Sequence, residues 1–359
     1  MRWFRAFLLI LTAFVLSGCN LVLLNPAGDV ASQQGDLIIY ATVMMCLVII
    51  PVMALTVFFA WQYRASNQRA RYEPEWSHSI SLEIVIWAVP LAIIIVLAGL
   101  TWVATHRLDP YADLTRISET QEVDPNVEPL EIQVVALDWK WLFIYPEQEI
   151  ATVGEFAVVK DRPVEFKLTS NTVMNAFYIP DMAGMIYAMA GMETELNAVL
   201  NSTGEFEGFA ANYNGAGFSQ MRFETISLEN EAAFDAWVAD VRATGIPELS
   251  DDTFNTLATP SIQEGITYYA RLQDGIYDRI LNMCTVPGSL CLDDQMMVDA
   301  LGGGGIDGLF NREVFAGICD VDDPRSLMAL LRPEAISEDE RLLAALMPPS
   351  QDQMQTRSN

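Results

Sequence analysis

Hydrophobic and polar positions divide this chain into three uncharged apolar runs, a stretch of period-two alternation and a return to helical spacing. Ala6 to Leu16 follows Arg2 and Arg5, Leu37 to Trp61 carries 25 residues without a charge, and Ile84 to Thr105 carries 22. Crossing a hydrocarbon core of about 30 Å takes roughly 20 helical residues, so the second and third runs predict two membrane-spanning helices. Pro51 and Pro90 are tolerable inside them where neighbours satisfy the freed carbonyls. Arg64, Arg69 and Arg71 lie between the spans, which puts that loop in the cytoplasm and everything after His106 on the other side. Trp61, Tyr63, Trp76, Trp87 and Trp102 stand near the span ends, as interfacial anchors or as packing residues against a neighbouring helix.

A linker over 107–130, rich in Asp, Glu and Pro, leads to the alternating stretch. Apolar residues recur at every second position in Val164 to Leu168. Similar short runs occur at Glu131 to Leu137, Trp141 to Tyr145, Glu195 to Leu200, Phe206 to Ala211 and Met221 to Ile226. Turn residues separate them at Asp161-Arg162-Pro163, Ser202-Thr203-Gly204 and Asn214-Gly215, so 131–228 reads as an all-β Greek-key sandwich or barrel. In 229–245 the residues Phe234, Trp237, Val238 and Val241 fall on one helical face, with Gly245 as the stop. The region 246–359 is expected as a mostly helical C-terminal extension of open role, with a Gly302 to Gly305 run and a polar end from Ser350 to Asn359.

The first 18 residues read as a lipoprotein signal peptide: two arginines, an apolar run, then Leu16-Ser17-Gly18-Cys19. A thioether-linked lipid requires a thiol at the first mature residue, so Cys19 is the expected lipidation site. Two spanning helices already hold such a protein irreversibly, so the lipid adds little anchoring. Of the other cysteines, Cys46 falls mid-span as a small apolar filler, and Cys284, Cys291 and Cys319 are exported to a compartment that permits disulfides. Cys284 with Cys291 is the expected pair, closing a loop that contains Pro287 and Gly288, and the state of Cys319 is left open. At 359 residues, 52% hydrophobic and a mean hydropathy of +0.23, the chain suits a membrane part plus one or two globular ones. A net charge of −27 with only Lys140, Lys160 and Lys167 as lysines argues against nucleic acid or an anionic surface as partner.

Candidate chemistry concentrates in Ala210 to Met221, AANYNGAGFSQM. It resembles the copper loop in subunit II of haem-copper respiratory oxidases, whose pattern runs Cys-x-Glu-x-Cys-Gly-x-x-His-x-x-Met. Gly215 and Met221 stand in register, but Ala210, Asn212, Asn214 and Phe218 occupy the Cys, Glu, Cys and His positions. The distant first His is Asn175, in Asn-Ala-Phe-Tyr-Ile-Pro. Copper of this type needs thiolate and imidazole, and the only histidines, His78 and His106, precede the exported domain. Further similarity lies in DWKWLFIYPEQ from Asp138, TSNTVMNAFYIP from Thr169 and IYAMAGM from Ile186. On these motifs the chain is identified as a member of the copper-less branch, subunit II of cytochrome bo-type ubiquinol oxidases.

That resemblance implies a cupredoxin fold for 131–228 and a role in oxidising ubiquinol and reducing oxygen to water while protons are translocated. It implies oxidase subunit I and other oxidase subunits as partners, with the haems and remaining copper in subunit I, no cofactor in this chain and no cytochrome c docking. The location implied is the bacterial inner membrane, with membrane lipid around the spans and the C-terminal domain in the periplasm. Trp139 has no copper beneath it and is expected to pack in the core and against the catalytic subunit. The methionines Met182, Met185, Met189, Met192 and Met221 are adaptable packing residues. Glu83, at the cytoplasmic start of the second helix, matches the mouth of the family's proton-uptake channel. An ionisable group at a membrane boundary is also a functional candidate in its own right. Two other readings stand beside this one: a membrane-tethered cupredoxin-like assembly lipoprotein outside any oxidase, and a cytochrome c oxidase subunit that lost its copper.

Overall fold

A computed structural model describes residues 22–70, 75–262 and 265–300. The signal segment, Cys19, Cys319 and the chain after residue 300 lie outside the described residues. Helices α1 (Asp29–Gln62) and α2 (Ile80–Arg107) are long and apolar enough to cross a membrane. Both overrun the uncharged spans. The first turns of α1 meet protein rather than lipid: Asp29, Val30, Ala31 and Gly35 are buried.

What anchors that start is backbone geometry. The amides of Ala27 and Gly28 donate to Asp181 O at 3.0 and 2.7 Å, and that of Ala31 donates to Met182 O at 3.3 Å. A Cβ on Gly28 would stand 2.4 Å from Val199 O, so only glycine lets the chain approach this closely. Arg116 closes the junction with two hydrogen bonds to the buried Asp29 carboxylate, at 2.8 and 3.0 Å. It lies in β1 (Arg116–Ser118), which pairs with β2 (Gln121–Glu122) inside the segment expected to be a plain linker.

Beyond it stand two sheets. The first contains β3 (Leu130–Leu137), β4 (Lys140–Tyr145), β5 (Ile150–Val153), β7 (Val164–Ser170), β10 (Thr194–Ala198) and β13 (Thr267–Tyr269), in the order β10-β7-β3-β4-β5-β13. The second contains β6 (Glu155–Val159), β8 (Asn175–Ile179), β9 (Ala183–Ala188), β11 (Gly204–Ala210) and β12 (Arg222–Leu228), in the order β6-β12-β11-β8-β9. Two pairings, β3 with β7 and β6 with β12, are parallel and the rest antiparallel, giving the interleaved order of a Greek-key sandwich. Between the sheets Phe177 and Phe223 stack with centroids 5.1 Å apart, and Trp141 meets Phe177 edge-on at 5.3 Å. Helix α3 (Glu231–Thr244) is capped by Asn230, whose side chain accepts from Ala233 N at 3.0 Å, and it adds Phe234, Val238 and Val241 to this core.

The region from Ile246 departs from the expectation of helical pieces without a fold signal. Strand β13 extends the first sheet beside β5, with Thr267 opposite Val153 and Tyr269 opposite Ala151. Helices α4 (Asp251–Leu257) and α5 (Ile276–Leu281) cover that sheet's outer face, and α6 (Leu292–Ala300) follows. Leu249, Phe254, Leu257, Tyr269, Ile276 and Ile280 form a second core with Val135, Leu137, Leu142, Ile144, Ala151 and Val153. Strands β3 to β5 are therefore buried on both faces, which is why their sequences lose alternation after Gln133. Lys140 fastens this layer: its ammonium donates to Leu257 O at 2.6 Å, Thr259 O at 2.9 Å and Ser261 Oγ at 2.5 Å. Cys284 and Cys291 are bonded, their Cα atoms 4.8 Å apart.

Candidate functional site

The loop between β11 and β12 closes over the end of β8. Asn175, fully buried at the start of β8, donates from Nδ2 to Val173 O at 2.8 Å, which orients its amide so that Oδ1 faces the loop. Asn214 donates to that Oδ1 and also lies 3.0 Å from Met221 Sδ, itself fully buried. Ala210 is buried beneath them and its amide donates to Met221 O at 3.0 Å. Four of the sequence-predicted positions, 175, 210, 214 and 221, thus converge.

The other two do not. Asn212 turns outward, donating to Met174 O at 3.3 Å, and the Phe218 ring packs against Tyr213 with centroids 5.6 Å apart. Trp139 roofs the loop. It sits at the β3–β4 turn with φ 66°, donates to Asn214 O at 3.3 Å, and lies so close to Gly217 that a Cβ there would come within 2.3 Å of its ring. As a donor set, three neutral amides, one thioether, a methyl and a phenyl ring do not fit copper, which at such sites takes thiolate sulfur and imidazole nitrogen. No group of three or more His, Cys, Asp or Glu side chains that could hold a metal occurs among the described residues.

At the opposite end of the membrane helices, Glu83 lies in the first turn of α2, its amide donating to Ser79 O at 3.0 Å. Its carboxylate is 2.5 Å from His78 Nδ1, with side chains 47% and 63% exposed respectively. Sequence reasoning singled out Glu83 and passed over His78, whose place just ahead of the Ser79 cap was the available signal. Cys46 is a free, partly buried thiol on α1. Near the outer end of α1, burial raises the Asp181 carboxyl above the ordinary carboxylate range.

Comparison with known proteins decides the family. A protein of Pseudomonas aeruginosa named cytochrome bo(3) ubiquinol oxidase subunit 2 is 48% identical over 269 residues, which cover 75% of this chain and 78% of that one. This chain belongs to the ubiquinol oxidase subunit 2 family. The Acetobacter aceti ubiquinol oxidase subunit 2 is 44% identical across 75% of this chain and 85% of its own, and the Bacillus anthracis quinol oxidase subunit 2 is 34% identical across 79% and 94%. A family profile described as the COX Aromatic Rich Motif matches residues 245–288, the layer that covers the outer face of the first sheet. Among solved structures, the periplasmic domain of cytochrome oxidase subunit II from Bradyrhizobium japonicum aligns at 21% identity and a TM-score of 0.31, over 33% of this chain and 96% of that one.

Proposed function

We propose that this chain serves a proton-translocating ubiquinol oxidase as a subunit 2 with no copper of its own, working beside subunit I and the other oxidase subunits. The observation that carries this reading is the Asn175–Asn214–Met221 cluster, which fills the metal-ligand positions of the loop with an amide and thioether network. Such a cluster holds shape but offers no redox couple, so electrons from a soluble cytochrome have no acceptor under Trp139. A membrane-dissolved quinol, oxidised where subunit I carries the haems, needs none. The test is oxygen reduction by the purified complex, normalised to haem, with ubiquinol or reduced cytochrome c as donor. Turnover with quinol alone is expected. Comparable turnover with cytochrome c, or copper in stoichiometric amounts in this subunit, would overturn it.

Glu83 belongs to the same proposal. Standing half-exposed at the cytoplasmic end of α2, it takes protons from water and passes them toward subunit I, which a methyl group cannot do. Glu83→Ala is expected to slow turnover per haem and proton uptake from the cytoplasmic side, with Glu83→Asp retaining more. A helix-terminal carboxylate acting only on the macrodipole would instead cost about 0.3–1 kcal/mol of stability at unchanged turnover. The proposed placement is a bacterial inner membrane, crossed twice, with the β-domain in the periplasm and acyl chains on Cys19. Intact mass of the mature subunit, and retention of Cys19→Ser in the membrane, test the last part.

A further inference from the structure

Two cavities meet where the outer ends of α1 and α2 join the β-domain. The upper, of about 550 Å³, is lined by polar groups from both helices and the following segment, among them Gln33, Gln34, His106, Arg107, Asp109 and Asp113. The lower, of about 390 Å³, runs between the helices and is lined by Leu37, Ala41, Leu97, Leu100 and Ala104. Leu108 borders both, so the two adjoin, charged above and apolar below. From Leu97 to Leu108 a helix rises roughly 16 Å, about half of a 30 Å hydrocarbon core and so the depth of one leaflet. The boundary between the two parts coincides with the end of the uncharged stretch at Thr105.

We propose that this junction binds one phospholipid with a zwitterionic, amine-bearing headgroup, its phosphate at Arg107 and His106, its ammonium at Asp109 and Asp113, and an acyl chain in the groove below. The charges lining the junction favour that occupant over other amphipathic ones. Arg107 is exposed and makes no ion pair with any described residue, which leaves its planar guanidinium for a phosphate. His106 donates Nδ1–H to Trp102 O at 2.8 Å, and in its imidazolium form the other ring nitrogen carries an N–H for a phosphate. Arg116 is spent on Asp29, so the cationic side of the cavity rests on Arg107. Asp113 is exposed, and Asp109 accepts only Tyr111 N, through Oδ1 at 3.1 Å, so both carboxylates can take an ammonium's donors. A purely anionic headgroup would meet them with repulsion, and an uncharged quinol ring would leave both signs unmatched.

The test is made on the complex extracted from native membranes in mild detergent, with bound lipids counted by native mass spectrometry. Arg107→Glu and, independently, Ala104→Phe, which fills the groove without touching a charge, are each expected to lose one phosphatidylethanolamine per complex while keeping subunit I. Added back to delipidated wild-type complex, phosphatidylethanolamine is expected to restore that one lipid at least tenfold more effectively than phosphatidylglycerol. An unchanged lipid count in Ala104→Phe, equal restoration by phosphatidylglycerol, a quinone in place of the phospholipid, or loss of subunit I with the lipid retained would each overturn the proposal.

Discussion

Replacing Lys140 by methionine isolates what holds the 245–288 layer against the sandwich. Lys140 is 7% exposed and its ammonium reaches two backbone carbonyls and a hydroxyl at 2.5–2.9 Å. Methionine keeps the stem and removes the donor. Hydrogen bonds from a charged donor net about 1.5–3 kcal/mol each, and a carbonyl left buried without a partner costs about 1–3 kcal/mol. Opposing this, an ammonium no longer has to be desolvated, which returns several kcal/mol. The orphaning falls mainly on Leu257 O, whose bond is buried, because Thr259 is exposed to water. A net loss of about 2–4 kcal/mol follows, confined to the layer whose hydrogen bonds Lys140 serves. In native-state hydrogen exchange this predicts acceleration by roughly 30-fold to nearly 1,000-fold at amides such as Phe254, Ala258 and Ala270, at 1.4 kcal/mol per decade. Amides of the β11–β12 ladder serve as the control. Unchanged exchange in α4 and β13, or equal acceleration in β11 and β12, would refute the argument.

Gly217→Ala should push the Trp139 ring off the loop, because the new Cβ overlaps its Cγ and Cδ2; the cost is about 1–3 kcal/mol, read as a red shift of tryptophan emission. Asp29→Ala should loosen the junction between α1 and the β-domain by about 1–3 kcal/mol, less than a fully buried pair because Arg116 is partly exposed, and raise proteolysis around residues 108–118. Partial burial and then the neighbouring Glu205 raise the Glu224 carboxyl above its ordinary value. Its stabilising contribution is therefore present while it is protonated, below the unfolded-state pKa, and is lost as pH rises through the folded one; Glu224→Gln should flatten the fall of Tm just above the ordinary carboxylate range.

Alternation made β7, β10, β11 and β12 legible, and β4 was found as a short apolar run although both its faces are covered, whereas β5, β6, β8 and β9 were not read. Val164 to Leu168 alternates because Glu165 and Lys167 face water while Val164, Phe166 and Leu168 face the core. Ile150 to Val153 and Glu155 to Val159 are buried throughout, so a search for period two passes over β5 and β6. The run Val134 to Leu137 was the legible sign of the second core. Being apolar on both faces, it required a cover, and Leu249, Phe254 and Ile276 supply it. The β13 strand is three residues long and pairs at an edge, too short for any periodicity. The loop positions were found from the resemblance to the copper-loop pattern, yet their convergence depends on the Val173 carbonyl and the Trp139 roof, which no sequence motif encodes.

Without a metal, the loop between β11 and β12 must be held by contacts of comparable reach. The amides of Ala210 and Ala211 tie its near end to Met221 O and Ala176 O, at 3.0 and 2.9 Å, and Phe218 and Gln220 close turns onto Gly215 and Gly217. Each such neutral bond nets only about 0.5–1.5 kcal/mol, so none of them alone fixes the loop. What makes it single-valued is the chain from Val173 O through Asn175 to Asn214 and Met221, in which every amide is oriented by the one before it, beneath an indole that admits only glycine at 217. None of these side chains ionises near neutral pH and none exchanges electrons with a one-electron donor. The loop's shape is therefore indifferent to pH and to the redox state of the membrane, as a platform fixed beside a catalytic subunit has to be, and as a copper relay, whose charge changes at every electron, is not.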